Sequence, residues 1–268
     1  MKPGMNSNHE INRPLWQKIV KSFFNIFGFE LIRKNSFLKR RENLVVELDD
    51  DQDSKELIER VNPYINSATI PTRWSLIQSM KYIHKNNIEG ALLECGVFQG
   101  GCLGIICLLS EKYKLNREIY AYDTFGTGFT VVTDHDLIQH NKSPKKEISR
   151  QHSENFYPTI ETVKNNLSTL GVKQELMPKF IEGKVEETLY VDSNLPKKIA
   201  LARIDTDFYD STKHELEVFY PRLAKGGILH INDYGGMAGV KKAVDDYFAD
   251  KNVWMHRVDY TTRLIIKD

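Results

Sequence analysis

Cysteine is scarce in this chain: Cys95, Cys102 and Cys107 are the only three in 268 residues. An odd, sparse set builds no disulfide framework. It suits a reducing compartment, so a cytoplasmic location is expected. The three also lack the spacing of zinc ligands, and each reads as a small hydrophobe. Long apolar runs are missing too. The longest, Leu103 to Leu109, falls far short of the roughly 20 residues of a membrane-spanning helix. Met1 to Arg13 is polar, without the apolar stretch of a secretory signal. An excess of one charge is also absent, with 37 basic against 36 acidic residues. That balance argues against a dedicated nucleic-acid binder. What remains is an ordinary globular composition, 41% hydrophobic and 27% charged. A chain of this length buries about three quarters of its unfolded surface, so it folds without a metal or disulfide staple.

The first 60 or so residues differ from the rest. Asn12 and Pro14 suit a helix start. Trp16, Ile19, Val20, Phe23 and Phe27 recur at helical spacing up to Gly28. A basic cluster follows (Arg33, Lys34, Lys39, Arg40, Arg41), then an acidic one (Glu47, Asp49, Asp50, Asp51, Asp53). This stretch reads as an appended arm, residues 1–60. Its apolar stripe packs on the chain itself or on a partner subunit, or it lies on a membrane surface. The main domain is expected over residues 61–268.

From Pro63 the pattern is regular. Trp74, Ile77, Met80 and Ile83 make a helical face. Ala91 to Cys95 reads as a buried strand, and Gly100-Gly101 open an apolar helix over Cys102 to Leu109. Strands follow at Glu118 to Asp123, Leu176 to Ile181, Ile199 to Ile204 and Ile228 to Ile231. Helices are expected over Tyr157 to Leu170, Thr212 to Leu223 and Gly239 to Phe248, with Gly226-Gly227 ending the second. Trp254 to Tyr260 and Thr262 to Ile266 alternate like a hairpin. Alternating strands and helices imply a parallel sheet covered on both faces. Gly126 to Phe156 has no period, and an insertion of that length is usually functional or disordered.

Three constellations carry chemistry. Glu94, Gly96, Gly100 and Gly101 lie between a strand and a helix, where glycine lets a ligand approach backbone. The pattern is not the dinucleotide fingerprint, and a tight structural turn explains it as well. Asp123 ends the next strand, where an acid can hold ribose hydroxyls. Asp205-Thr206-Asp207 and Asn232-Asp233 follow two further strands. Two carboxylates and an amide oxygen there form a hard donor set suited to Mg²⁺. The alternative is that Asp207 or Asp210 caps the next helix, with Thr212 and Glu215 as a capping box.

Five ordered blocks add a resemblance. They are Glu94-Cys-Gly-Val-Phe-Gln-Gly-Gly101, Tyr122-Asp-Thr-Phe125, Arg203-Ile-Asp-Thr-Asp-Phe-Tyr-Asp-Ser-Thr212, Tyr220-Pro-Arg-Leu-Ala-Lys-Gly-Gly227 and Ile231-Asn-Asp-Tyr-Gly235. Together, over about Pro63 to Asp268, they resemble the macrocin O-methyltransferase family. The resemblance implies a class I methyltransferase fold, a Rossmann-like α/β seven-stranded sheet with helices on both faces and a C-terminal antiparallel hairpin, here behind an N-terminal helical arm. It implies S-adenosylmethionine as cofactor and Mg²⁺ as metal. It implies O-methylation of a sugar or related polyhydroxylated natural product, a small-molecule or glycan acceptor, and a homo-oligomer. On this reading Glu94, Gly96 and Gly100 face the methionine half of the cofactor, Asp123 the ribose, and Glu182-Gly183 the adenine. Asp205, Asn232 and Asp233 match the metal positions, with Asp205 the first candidate for general base and His135 and His140 the alternatives. Two departures stand out. The family's aromatic after Gly183 is replaced by Lys184 and Val185, and Asn232 stands where the family often has aspartate. The second removes one negative charge, which keeps a metal-independent transferase of the same fold open. An accessory cofactor-binding subunit is the further alternative.

Overall fold

A computed structural model describes residues 51–65, 67–126, 133–137 and 157–268. They belong to the unit Val46–Asp268. The aromatic stripe expected at Trp16 to Phe27, the basic cluster after it and His140 lie outside the described residues.

Helices α1 (Gln52–Val61) and α2 (Ile70–Lys85) lead into strand β1 (Ala91–Cys95). Then follow α3 (Gly101–Lys112), β2 (Ile119–Asp123), α4 (Ile160–Thr169) and β3 (Lys179–Glu182). The one-turn α5 (Val185–Thr188) precedes β4 (Ile199–Ile204), α6 (Tyr209–Arg222) and β5 (Leu223–Ile231). Helix α7 (Ala238–Phe248) and strands β6 (Met255–Arg257) and β7 (Arg263–Ile266) complete the chain.

The seven strands form one sheet in the order β3-β2-β1-β4-β5-β7-β6. Strands β1 to β5 are parallel, and β7 pairs antiparallel with both β5 and β6. The expected parallel sheet and closing hairpin are therefore both present. Residues of β1 and β4 are buried throughout, as a parallel strand covered on both faces requires. Alternate side chains divide between two cores. Leu92, Ala121 and Leu201 join α1 to α4 on one face, while Leu93, Tyr122 and Ile204 join α6 and α7 on the other.

The chain runs outward from β1 to β3, then returns to β4 on the other side of β1. Loops after β1 and β4 thus leave toward opposite faces. The crevice between them at the carboxyl ends is where ligands bind in such sheets.

Two local expectations are corrected. Gly226-Gly227 do not end helix α6 but lie inside β5. Leu223 pairs with Ile199 and Ile228 with Leu201, so the segment between bulges out of the ladder. A bulge admits residues that a continuous ladder would reject, and Gly226 takes φ +75° there. The Thr212–Glu215 capping box is also absent. Glu215 is buried and its Oε2 accepts the Thr206 hydroxyl, while the Tyr209 N–H at the start of α6 donates to Asp136 Oδ1 from the insertion, at 2.9 Å.

Candidate functional site

Four strand ends converge on the crevice. Gly96 follows β1 with φ +77°, and a Cβ there would overlap the carbonyl oxygen of Asp205. Backbone contact between the loop after β1 and the end of β4 therefore requires glycine. Asp123, at the end of β2, binds the same loop. Its Oδ2 accepts the N–H groups of Val97 (2.6 Å) and Phe98 (3.0 Å), and its Oδ1 that of Phe125 (3.1 Å). Glu182 lies level with Asp123 on β3 and is exposed. The Gly183 N–H donates to the Asp123 carbonyl at 3.0 Å. Gly100 is the N-cap of α3 and offers no side chain to its amides.

Beneath this loop lies a buried ionic bridge. Arg203 Nη1 donates to Glu94 Oε1 at 2.6 Å, and its Nη2 to Asp205 Oδ2 at 2.8 Å. One guanidinium thus joins the β1 end to the β4 end. Burial pushes the Glu94 carboxyl up to about 8, against the pull of Arg203. Its second oxygen, Oε2, is buried with no hydrogen-bond partner. Such an atom calls for a donor from a ligand, and the ammonium end of an amino-acid-bearing cofactor fits it.

The carboxylates sit above. Asp205, Asp207 and Asp233 each bring an oxygen within 4.8 Å of the others, an arrangement able to hold a metal ion. Asp207 and Asp233 hydrogen-bond each other. Burial and the charge of Asp205 raise both above the carboxylate range, Asp207 to about 7. Burial and like charge thus disfavour ionising both. Asn232 is buried, and its Nδ2 donates to Asp205 Oδ1 (2.6 Å) and Asp233 Oδ2 (2.9 Å). Its Oδ1 turns away and accepts the Thr262 hydroxyl at 3.0 Å.

Backbone strain gathers here. Phe98, Phe125, Asp207 and Asp233 all have positive φ, at 48°, 40°, 69° and 58°. Non-glycine residues in that region cost energy and persist where surrounding structure imposes them, often at functional sites.

The histidines divide. His230 is fully buried, with Nε2 at 2.8 Å from Ser75 Oγ. Burial pushes its imidazole down to about 3, so it is a neutral core group. His135 packs on the ring of Tyr209, with centroids 4.3 Å apart.

Glu94, Gly96, Asp123, Asp205, Asn232 and Asp233 meet in this set of contacts, whereas Gly100 caps α3, Glu182 is exposed at the rim and His135 packs on Tyr209. Two residues had no assigned role from sequence. Asp207 was visible in its motif but read as a helix cap. Arg203 was quoted only as part of a block. An arginine inside the apolar strand Ile199–Ile204 was the available signal, since a buried arginine needs acidic partners.

Known proteins resemble this chain in sequence and in fold. The family model for macrocin O-methyltransferases (TylF) matches residues 60–264. Mycinamicin III 3''-O-methyltransferase of Micromonospora griseorubida is 29% identical over 166 residues, which is 61% of this chain and 62% of that protein. Demethyldecarbamoylnovobiocin O-methyltransferase of Streptomyces niveus is 27% identical over 182 residues, 64% of this chain and 63% of that protein. The chain thus spans less than two thirds of the length of these relatives. Among solved structures, the O-methyltransferase NovP superposes with a TM-score of 0.64 at 23% identity, covering 75% of this chain and 83% of that one. The fold is that of the class I methyltransferases.

Proposed function

The chain belongs to the macrocin O-methyltransferase family, and from that membership we propose that it moves a methyl group from S-adenosylmethionine to a hydroxyl of a sugar or related polyhydroxylated natural product. The observation that carries the reading is the Arg203 bridge. It ties Glu94 at the end of β1 to Asp205 after β4, so one crevice offers a cofactor side and an acceptor side.

When bound, the cofactor supplies an electrophilic methyl group on a sulfonium. Glu94 Oε2 would accept from its ammonium group, and Gly96 and Gly100 would let its chain lie against backbone. Asp123 would hold the ribose hydroxyls, and Glu182-Gly183 would border the adenine. On the acceptor side a hydroxyl must lose its proton as it attacks. Asp205 spends its two oxygens on Arg203 and Asn232. The proton-accepting role therefore falls first to Asp207, whose carboxyl lies in hydrogen-bond contact with Asp233. Asp205 is the second candidate.

Mg²⁺ assistance belongs to the same proposal. Asp205 and Asp233 would hold the ion, with Asn232 through its carbonyl oxygen and Asp207 as a further carboxylate. The ion would lower the pKa of the acceptor hydroxyl. Three hard oxygens within reach of one another fit such an ion. The reading also includes the residues before α1 as an arm for homo-oligomer contact, while the end of the expected arm, Gln52–Val61, packs in the main core. It places the protein in a reducing, cytoplasmic setting, in keeping with three buried free thiols. Among the described residues no helix is long and apolar enough to cross a membrane.

Calorimetry tests the cofactor side. S-adenosylmethionine should bind, and Asp123→Ala should weaken it about tenfold or more, the loss of a charge-assisted hydrogen bond. Unchanged affinity would remove the ribose assignment. Transfer of labelled methyl to a panel of glycosylated natural products, with and without chelator, tests the reaction and the metal. Deleting residues 1–40 and measuring oligomeric mass and liposome binding tests the arm.

A further inference from the structure

The amide of Asn232 is held on both sides. Toward the site, Nδ2 donates to Asp205 and Asp233. Two carboxylate acceptors at this range demand a donor, so without a cation the nitrogen must face them. Away from the site, Oδ1 meets Thr262 Oγ1. Thr262 Oγ1 lies 2.7 Å from Thr72 Oγ1, which lies 2.9 Å from Asp259 Oδ2. Thr69, the N-cap of α2, also donates to Asp259. Asp259 Oδ1 in turn accepts the N–H groups of Thr261 (2.8 Å) and Thr262 (2.6 Å), fixing the turn between β6 and β7. Thr72 and Thr262 are both buried.

The Thr262 hydroxyl can turn either way. With Oδ1 facing it, Thr262 donates to the amide, while Thr72 and Thr69 both donate to Asp259. With the amide turned over, Nδ2 donates to Thr262, Thr262 donates to Thr72, and Thr72 joins Thr69 in donating to Asp259. No buried group is left unpaired in either arrangement. Turning the amide therefore costs nothing on the Thr262 side. The difference lies wholly on the carboxylate side, where a carbonyl oxygen is repelled unless a cation stands between.

We propose that Asn232 is a reversible ligand: its amide group stands in for a cation in the metal-free protein and turns over to present its oxygen when a divalent ion enters, with the Thr262 hydroxyl turning from the amide to Thr72 to match. The inference rests on reading the strand-end carboxylates as the transfer site. An aspartate here would face Asp205 and Asp233 with like charge, and would depend on the ion to relieve it. Asparagine makes the ion optional for the fold of the site and weakens its hold.

The probe is Mn²⁺, followed by electron paramagnetic resonance, together with thermal melts in chelator and in Mn²⁺. The wild-type chain should bind Mn²⁺ weakly and melt nearly alike in both conditions. Asn232→Asp should bind about tenfold more tightly or better, as an added charge near the ion requires. It should melt lower than wild type in chelator and recover in Mn²⁺. Thr262→Val breaks the hydroxyl chain without adding charge, so it should lower melting equally in both conditions. That control separates the charge effect from simple damage. Equal Mn²⁺ affinity in wild type and Asn232→Asp, an unchanged melt of Asn232→Asp in chelator, or no Mn²⁺ binding by either protein overturns the proposal. S-adenosylhomocysteine calorimetry on the wild type reports separately on the methyltransferase reading.

Discussion

At the scale of single residues, Gly96 and Arg203 set the distance between the two halves of the crevice. Gly96→Ala adds a methyl group where the Asp205 carbonyl already sits, at a φ that penalises any side chain. A loss of roughly 1–3 kcal/mol is expected from the backbone alone. S-adenosylhomocysteine affinity should fall with it in calorimetry, because the loop must withdraw. Arg203 is a positioning residue. Removing one partner of a buried ion pair costs about 3–5 kcal/mol, since the other charge is stranded. Arg203→Met should show a loss of that order in urea denaturation. Adding Glu94→Gln to it should restore part, as the stranded carboxylate is removed. If the double variant is no more stable than Arg203→Met, the Glu94–Arg203 pairing is not what the guanidinium contributes.

At the scale of elements, side chains at the helix starts tie the helices to their neighbours. Asp51 caps α1, where its side chain accepts the Ser54 N–H, and it pairs with Lys81 on α2. Burial alone would raise its carboxyl. The Lys81 ammonium and the Ser54 hydroxyl and amide outweigh that and hold it at about 2, against 3.8 for the free group. A lowered carboxyl stabilises fully above its unfolded value and loses that contribution as pH falls through the folded one. The window here runs from about pH 4 down to about pH 2. Asn can still cap but cannot titrate. Stability of the wild type should therefore fall more steeply than that of Asp51→Asn between pH 4 and 2, measured by urea denaturation at each pH. Parallel slopes for the two proteins would show that the ion pair does not stabilise the α1–α2 contact. The same logic explains why sequence reading misjudged the start of α6. Its Tyr209 amide is satisfied by Asp136, far away in the chain, and a local capping rule sees only neighbours.

At the scale of the whole molecule, ligand binding should reinforce the fold. The crevice draws on the ends of β1, β2, β4 and β5, so a ligand there links both halves of the sheet. S-adenosylhomocysteine at 100 times its Kd should add about 2.7 kcal/mol. For a domain of this size that raises Tm by roughly 5–10 °C, at about 2–4 °C per kcal/mol, in a thermal melt. A Tm unmoved at saturating ligand would argue against the crevice as the cofactor site. Much of this architecture was legible beforehand. Period and punctuation located every strand of the sheet and the closing hairpin, because burial on two faces leaves apolar runs that glycine and charge interrupt. Motif order then placed Glu94, Asp123, Asp205 and Asp233 at strand ends, where parallel topology forces them into one crevice. What only the tertiary structure decided is how those groups pair. Arg203 reaches Glu94 because β1 and β4 are neighbours. Asp207 meets Asp233 because β4 and β5 are neighbours. The direction of the Asn232 amide depends on Thr262, Thr72 and Asp259, drawn from a helix and a hairpin far apart in the sequence. Periodicity records which side chains are buried. A hydrogen bond between distant strands depends on register and on the position of single atoms, and those exist only once the sheet has closed.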